Sequence, residues 1–200
     1  ILDISDKQDL NFDLLEKIAK EAFMPISFGG NLTDMNKIKR IFKIGFEKII
    51  LNSAIFSNKK IVLEAIKFAG AQSVTIKLDL YYNNGNYFLK DKENNSKILF
   101  NAEWIINLLD ELKPGEIILS LVQKDGSMDG YDLNFFKELS PIIKVPLIAD
   151  CGAGNFDHIK NIMLKTEVSG CCASSIFVYY GKLKSVLISY IKEEDRKKIE

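Results

Sequence analysis

Glu116-Ile117-Ile118-Leu119-Ser120-Leu121-Val122-Gln123-Lys124-Asp125-Gly126-Ser127-Met128-Asp129-Gly130-Tyr131-Asp132 is the stretch that decides the fold. Its first seven residues form an apolar run without strict alternation, the pattern of a buried parallel strand. The segment that closes the run, Asp125 to Asp132, is rich in glycine and carboxylates. Its glycines let backbone N–H groups approach an anion closely, and its carboxylates and hydroxyls stand where ligand-contacting groups stand at the C-terminal end of a parallel strand. Any Gly/Asp-rich turn offers as much. A repeat sharpens the reading: Asp3, Gly30 and Ser53 lie 122 positions before Asp125, Gly152 and Ser175, and each ends an apolar run. Three matched pairs at one offset point to duplicated halves.

Worked outward, the same pattern gives seven strands: Ile1–Ile4, Met24–Phe28, Lys48–Leu51, Val74–Asp79, Glu116–Val122, Pro146–Ala149 and Gly170–Ala173. Helical spacing separates them over Asp13–Phe23, from a cap at Thr33 or Asp34 to about Lys43, over Lys59–Ala69, Ala102–Leu112 and Leu133–Leu139, and after Gly154 to about Leu164. Tyr82-Asn83-Asn84-Gly85-Asn86-Tyr87 has hairpin chemistry, and Leu183–Lys197 reads as an amphipathic helix. Short apolar strands alternating with helices define an α/β chain with a parallel sheet. The repeat favours a (β/α)8 TIM barrel of two four-strand halves over a doubly wound sheet, with residues 1–200 forming one barrel domain. Asp79 opens the second half, so its counterpart would lie about 43 residues before Ile1, and a first strand and helix are expected to be absent from this chain.

Composition limits the function classes. Of 200 residues, 47% are hydrophobic and 27% charged, and 27 basic residues balance 27 acidic ones, so no net field draws the chain to nucleic acid or to an acidic membrane. No apolar run reaches the roughly 18 residues of a membrane span, and a cytoplasmic location is expected. Cys151, Cys171 and Cys172 fall in apolar segments and suit buried thiols better than a disulfide framework or a zinc site. His158, the only histidine, sits in a polar segment that looks like a helix start, which argues against Ser-His-Asp chemistry. Neither a metal nor a cofactor is expected.

Taken in order, Leu2-Asp3-Ile4, Phe28-Gly29-Gly30, Leu51-Asn52-Ser53-Ala54, Leu78-Asp79, Lys124-Asp125-Gly126-Ser127, Gly130-Tyr131-Asp132, Gly152-Ala153-Gly154 and Ala173-Ser174-Ser175-Ile176-Phe177 run the length of the chain. Together they resemble the cyclase subunit of imidazole glycerol phosphate synthase, a half-barrel-duplicated (β/α)8 enzyme of histidine biosynthesis. The resemblance implies a bisphosphorylated substrate, with one phosphate at Gly30, Asn52 and Ser53 and the other at Gly126, Gly152, Ser174 and Ser175. Asp3, Asp125 and Ser120 match further substrate-contacting positions. Asp79 matches one of two aspartates that act as general acid and base while ammonia adds to an imine and the ring closes. The ammonia would come from a glutaminase subunit, forming a heterodimer on the N-terminal face. Lys48 and Glu116 match members of the charged ring that gates its passage. The alternative for the glycines is tight corners alone, for Asp79 an ordered loop, and for Lys48 and Glu116 exposed strand starts.

Several positions depart from that pattern. Asn31 replaces a glycine of the first loop, and Asp150-Cys151 replaces a Ser-Gly pair beside the second. Lys77 shares a face with Asp79 where the family keeps a small apolar residue, and a partner in Asp79 or Asp150 is expected because an unpaired inward ammonium is costly. The loop near Asn95-Ser96-Lys97 lacks the family's Asn-Thr-Gly. Three functions stay open: the histidine-pathway cyclase with its glutaminase, an ammonia-channelling paralogue used in amidation of a surface sugar, and a non-catalytic barrel that binds a partner.

Overall fold

The computed structural model describes residues 1–3, 9–91, 96–180 and 185–197. Ile1–Asp3 lies against Ser27–Gly29 without forming a strand of its own: Leu2 makes an isolated parallel bridge to Gly29, and the Asp3 N–H donates to the Gly29 carbonyl at 2.8 Å. There follow α1 (Phe12–Glu21), β1 (Ser27–Gly29), α2 (Met35–Lys43), β2 (Lys48–Leu51), α3 (Ala54–Ser57), α4 (Lys59–Ala69), β3 (Val74–Asn83), β4 (Asn86–Asp91) and β5 (Ser96–Phe100). The rest of the chain forms α5 (Ala102–Leu112), β6 (Glu116–Leu121), α6 (Leu133–Leu139), β7 (Leu147–Asp150), α7 (Phe156–Lys165), β8 (Gly170–Cys171), α8 (Ser175–Val178), β9 (Tyr179–Tyr180), β10 (Ser185–Val186) and α9 (Glu193–Arg196). The main sheet runs in the order β1-β2-β3-β6-β7-β8, with β1 and β2, β2 and β3, and β7 and β8 each paired in parallel. Parallel strands joined through helices make this an α/β fold of the TIM-barrel class. Ile4, the last residue of the first expected strand, lies outside the described residues.

Two compact units divide the chain, one comprising Ile1–Lys77, Asp91–Ser96 and Leu108–Ile117, the other Leu78–Lys90, Lys97–Asn107 and Ile118–Glu200. In the first, Asp34 caps α2 as its spacing predicts, its Oδ1 accepting from the N–H groups of Asn36 (2.9 Å) and Lys37 (3.0 Å). Ile38 and Ile41 of α2 and Ile61, Val62 and Ala65 of α4 are buried, as are Ile49, Leu51, Val74 and Ile76 of the strands. Helix α2 packs on both β2 and α4. Burial of each large aliphatic contributes about 1.5–3 kcal/mol, so this interlocked set, rather than any surface ion pair, holds the unit together.

In the second unit β3 continues beyond Asp79 and reverses at Asn84-Gly85, whose φ values of 48° and 82° suit a two-residue hairpin turn. Asn83 lies opposite Asn86, as the Asn-Gly sequence predicts. The structure adds β5 as a third strand, pairing with β4, where the sequence reading had a loop. Ser96–Phe100 buries only Phe100, so it lacks the apolar alternation that marks a strand. Tyr87 of β4 fastens the hairpin: its ring lies 4.4 Å from Phe135, and its hydroxyl donates to Asp132 Oδ2 at 3.0 Å. Asp132 Oδ1 meanwhile accepts the Phe135 N–H and caps α6.

The expected helix over Leu183–Lys197 is not formed by the described residues 185–197. Ser185–Val186 pairs antiparallel with Tyr179–Tyr180, and only Glu193–Arg196 is helical. The β-branched content of Val186-Leu187-Ile188 favours extended backbone, and Lys192 before α9 provides no side-chain cap.

Candidate active site

Alternation along the strands sorts side chains onto two faces. One face is the packed one of Ile49, Ile76, Leu78, Leu119 and Ala149. The other carries Lys48, Ile50 and then Asn52 along β2, Thr75, Lys77 and Asp79 along β3, Glu116, Ile118 and Ser120 along β6, and Ile148 and Asp150 along β7. In the first unit the polar residues Lys48, Thr75 and Glu116 stand at or near strand starts, and in the second Asp79, Ser120 and Asp150 stand further along their strands.

At the strand starts, Lys48 Nζ donates to Glu116 Oε2 at 2.9 Å, and Thr75 Oγ1 donates to Glu116 Oε1 at 3.0 Å. Each carboxylate oxygen therefore has its own donor, and the Glu116 side chain is only 20% exposed. The sequence reading put Lys48 and Glu116 on a common face; it missed Thr75, which within Val-Thr-Ile reads as an ordinary strand former.

Asp79 and Ser120 each stand four residues further along their strand than Thr75 and Glu116. Asp79 is half-buried, while Ser120 is only 1% exposed. The Ser120 hydroxyl donates to Asp150 Oδ2 at 2.5 Å, and Asp150 Oδ1 accepts the Cys151 N–H at 2.9 Å. Ser120 is thereby committed to Asp150, and the half-buried Asp150 carboxylate is the polar group presented at the end of β7.

The repeat is visible in the backbone of the loops. Gly30 and Gly152 have φ of 101° and 111°, and a Cβ on either would run into a backbone carbonyl, that of Asp3 for Gly30 and that of Gly130 for Gly152. Gly126 also has positive φ, 65°, but a Cβ there would meet nothing within 4 Å. The two substituted glycine positions keep the left-handed backbone: φ is 51° at Asn31 and 76° at Cys151. Asparagine tolerates that region and cysteine does not. Cys151→Gly is therefore expected to raise stability by about 1 kcal/mol, relief of the left-handed strain outweighing glycine's extra unfolded-state entropy. Urea unfolding of the two proteins checks this, and Asn31→Gly should gain less.

Ser53 and Ser174 precede the one-turn helices α3 and α8, and neither side chain caps its helix. Both are exposed, Asn52 and Ser175 are half-buried, and Asp125 and Gly126 are exposed in the loop after β6. In the first unit Asp3, Gly30, Asn52 and Ser53 follow the ends of successive strands. In the second, Asp125, Gly126, Gly152, Ser174 and Ser175 do the same, while Asp79 lies inside the lengthened β3.

Two aromatic residues brace the second-half loops. His158 lies in the first turn of α7, where the sequence reading placed it, but its Nδ1 also accepts the Gly154 N–H at 3.1 Å and its ring backs onto Gly130. Tyr131 is buried and its hydroxyl donates to the Cys172 carbonyl at 2.7 Å, tying the loop after β6 to the end of β8. Burial, with the Cys171 thiol beside it, pushes the Tyr131 phenol well above the ordinary tyrosine range. Burial likewise raises Cys171, which keeps it a thiol. Because folded Tyr131 holds its proton while the unfolded phenol ionises near pH 10, its contribution is complete below pH 10 and falls as pH rises. Stability should decline above pH 10 by up to about 1.4 kcal/mol per pH unit for this one group. Tyr131→Phe should remove that part of the slope, as measured by unfolding at several alkaline pH values.

Among the described residues no group of three or more His, Cys, Asp or Glu is placed to hold a metal ion, and no helix is long and apolar enough to cross a membrane. Parallel strands whose C-terminal ends carry glycine-tightened loops, hydroxyls and carboxylates define a protein of the TIM-barrel class, a class that places its active sites at those ends. The sequence pattern of the family described as "Histidine biosynthesis protein" matches residues 1–184, and the chain belongs to that family. A protein of Leptospira borgpetersenii, provisionally named imidazole glycerol phosphate synthase subunit HisF, is 34% identical over 98% of this chain and 79% of its own length. One from Vibrio vulnificus, provisionally named subunit hisF3, is 33% identical over 94% of this chain and 73% of its own. The imidazole glycerol phosphate synthase subunit HisF of a Hydrogenobaculum species is 28% identical over 95% of this chain and 76% of its own.

Proposed function

We propose that the chain is the ammonia-using subunit of a glutaminase-coupled lyase of the imidazole glycerol phosphate synthase type, closing an imidazole ring on a bisphosphorylated ribonucleotide. The supporting observation is β3 itself, which carries Thr75 of the Lys48–Glu116 cluster near its start and Asp79 four residues on, on the same face. Ammonia released by a glutaminase docked at the strand starts would pass the Lys48–Glu116 pair. Asp79 would then exchange protons as nitrogen adds and the ring closes. One phosphate is assigned to Gly30, Asn52 and Ser53 with Asp3, the other to Gly126, Gly152, Ser174 and Ser175 with Asp125, through N–H groups and hydroxyls. These steps are proton transfers and C–N bond changes, within the reach of side chains alone.

A second reading, an ammonia-channelling paralogue acting on another electrophile such as a surface sugar, is favoured by one feature, the carboxylate of Asp150 at the end of β7. Complementation of a histidine auxotroph lacking the cyclase subunit, with the full-length gene, separates the two. Growth without histidine is expected for the first reading. No growth, together with retained ammonia-dependent activity on an alternative acceptor, would favour the second.

A further inference from the structure

We infer that Gln123 and Tyr87 are positioning residues, through which the β3–β4 hairpin holds both ends of the segment Gln123–Asp132 and so sets the loop that carries Asp125 and Gly126. Tyr82 and Tyr87 face each other across the hairpin, one step back from the pair Asn83 and Asn86 that closes its turn. Opposed residues of an antiparallel pair alternate between exchanging main-chain hydrogen bonds with each other and turning them outward. Tyr82 turns its pair outward, where β6 has ended at Leu121 and the chain turns through Val122–Lys124. There the Gln123 side chain stands in for a strand residue: its Oε1 accepts the Tyr82 N–H at 3.0 Å and its Nε2 donates to the Tyr82 carbonyl at 2.8 Å. The other member of the cross-strand pair holds the far end of the segment, the Tyr87 hydroxyl donating to Asp132 Oδ2 at 3.0 Å, and the two tyrosine rings lie 5.0 Å apart. The loop between needs such a hold. Gly126 and Met128 have φ of 65° and 61°, and a left-handed non-glycine residue persists only where its surroundings impose that conformation. Inside the loop, the Ser127 N–H donates to the Lys124 carbonyl at 3.2 Å and the Asp129 N–H to Ser127 Oγ at 3.3 Å, both at the long end of the hydrogen-bond range. Gly130 is anchored separately on the Gly152 carbonyl, so Gln123 is the hold nearer in sequence to Asp125 and Gly126. Because the hairpin continues β3, the same two side chains fix the loop relative to the strand that carries Asp79. Gln123 and Tyr82 are exposed, so their bonds add little to global stability and act locally. The inference rests on the reading that this loop contacts an oxyanion of the ligand.

Amide hydrogen exchange and titration with inorganic phosphate, both on the full chain, test it in wild type, Gln123→Ala and Tyr87→Phe. The phenylalanine variant keeps the ring against Phe135 and loses only the hydroxyl. In Gln123→Ala the Tyr82 amide should exchange about tenfold faster, the size expected for one hydrogen bond. Phosphate, followed at the Gly126 amide, should bind about five- to tenfold more weakly in Gln123→Ala and about threefold more weakly in Tyr87→Phe. Phosphate followed at the Gly30 amide, in the other unit, should keep its wild-type affinity in both variants, which separates placement of this loop from a general loosening of the chain. Wild-type affinity at Gly126 in both variants would overturn the inference while leaving the ligand loop standing, and so would an unchanged Tyr82 exchange rate in Gln123→Ala. Phosphate that shifts the Gly126 amide in none of the three proteins would overturn the ligand reading of the loop and the inference with it.

Discussion

Asp79→Asn in the complete enzyme is expected to lower ammonia-dependent turnover by roughly 10²-fold or more while leaving substrate affinity nearly unchanged, because an amide keeps the shape of the carboxylate but cannot exchange a proton. The position supports the expectation. Asp79 is half-buried on β3, four residues past Thr75 and on the same side of the strand. It shares that face with Lys77, also half-buried. If Asp79 serves instead as the structural counter-charge of Lys77, the substitution leaves the ammonium without its anion, and the loss appears as a lower melting temperature with turnover less affected. Steady-state kinetics with added ammonium and thermal unfolding on the same preparation separate the roles. Full activity with unchanged melting would remove both roles for Asp79.

Much of the architecture was legible because local chemistry and the global fold agree. Asp34 before an amphipathic run gave the start of α2, Asn84-Gly85 gave the hairpin, and the apolar run Lys48–Leu51 gave β2, while β1 begins at Ser27 rather than Met24 and β3 runs on to Asn83 rather than stopping at Asp79. The repeat offset pairs Gly30 with Gly152, and the two have similar positive φ, 101° and 111°. What was not legible depends on partners distant in sequence. Thr75 meets Glu116 across 41 positions, and Ser120 meets Asp150 across 30, through side chains whose propensities say only strand. His158 was read correctly as lying at a helix start, but its bond to Gly154 needed the loop's path in space. The tail failed for the opposite reason. Its apolar residues have near-helical spacing, yet Val186 pairs with Tyr179 in a ribbon, so pairing overrode periodicity.

Gly152→Ala and Gly126→Ala should behave differently although both glycines have positive φ, and the contrast separates what the glycines do for the fold from what they do for a ligand. At Gly152 the added Cβ collides with the Gly130 carbonyl, whose own N–H donates to the Gly152 carbonyl at 2.7 Å, so neither loop can yield without breaking that bond. Left-handed strain and overpacking together predict a loss of about 3 kcal/mol or more, enough to shift the folded-to-unfolded ratio by two orders of magnitude. At Gly126 the Cβ points into open space, so only backbone strain of about 1–2 kcal/mol applies. If Gly126 only turns a corner, its alanine variant binds inorganic phosphate like wild type once the modest stability loss is allowed for. If its N–H lies against a phosphate oxygen, the methyl group intrudes on the anion and affinity falls by about tenfold at nearly native stability. Denaturant unfolding gives the first comparison and phosphate titration the second. Equal stability losses at the two positions would mean that the Gly130 carbonyl moves freely, and would remove the rigid two-loop frame on which a second-half phosphate site depends.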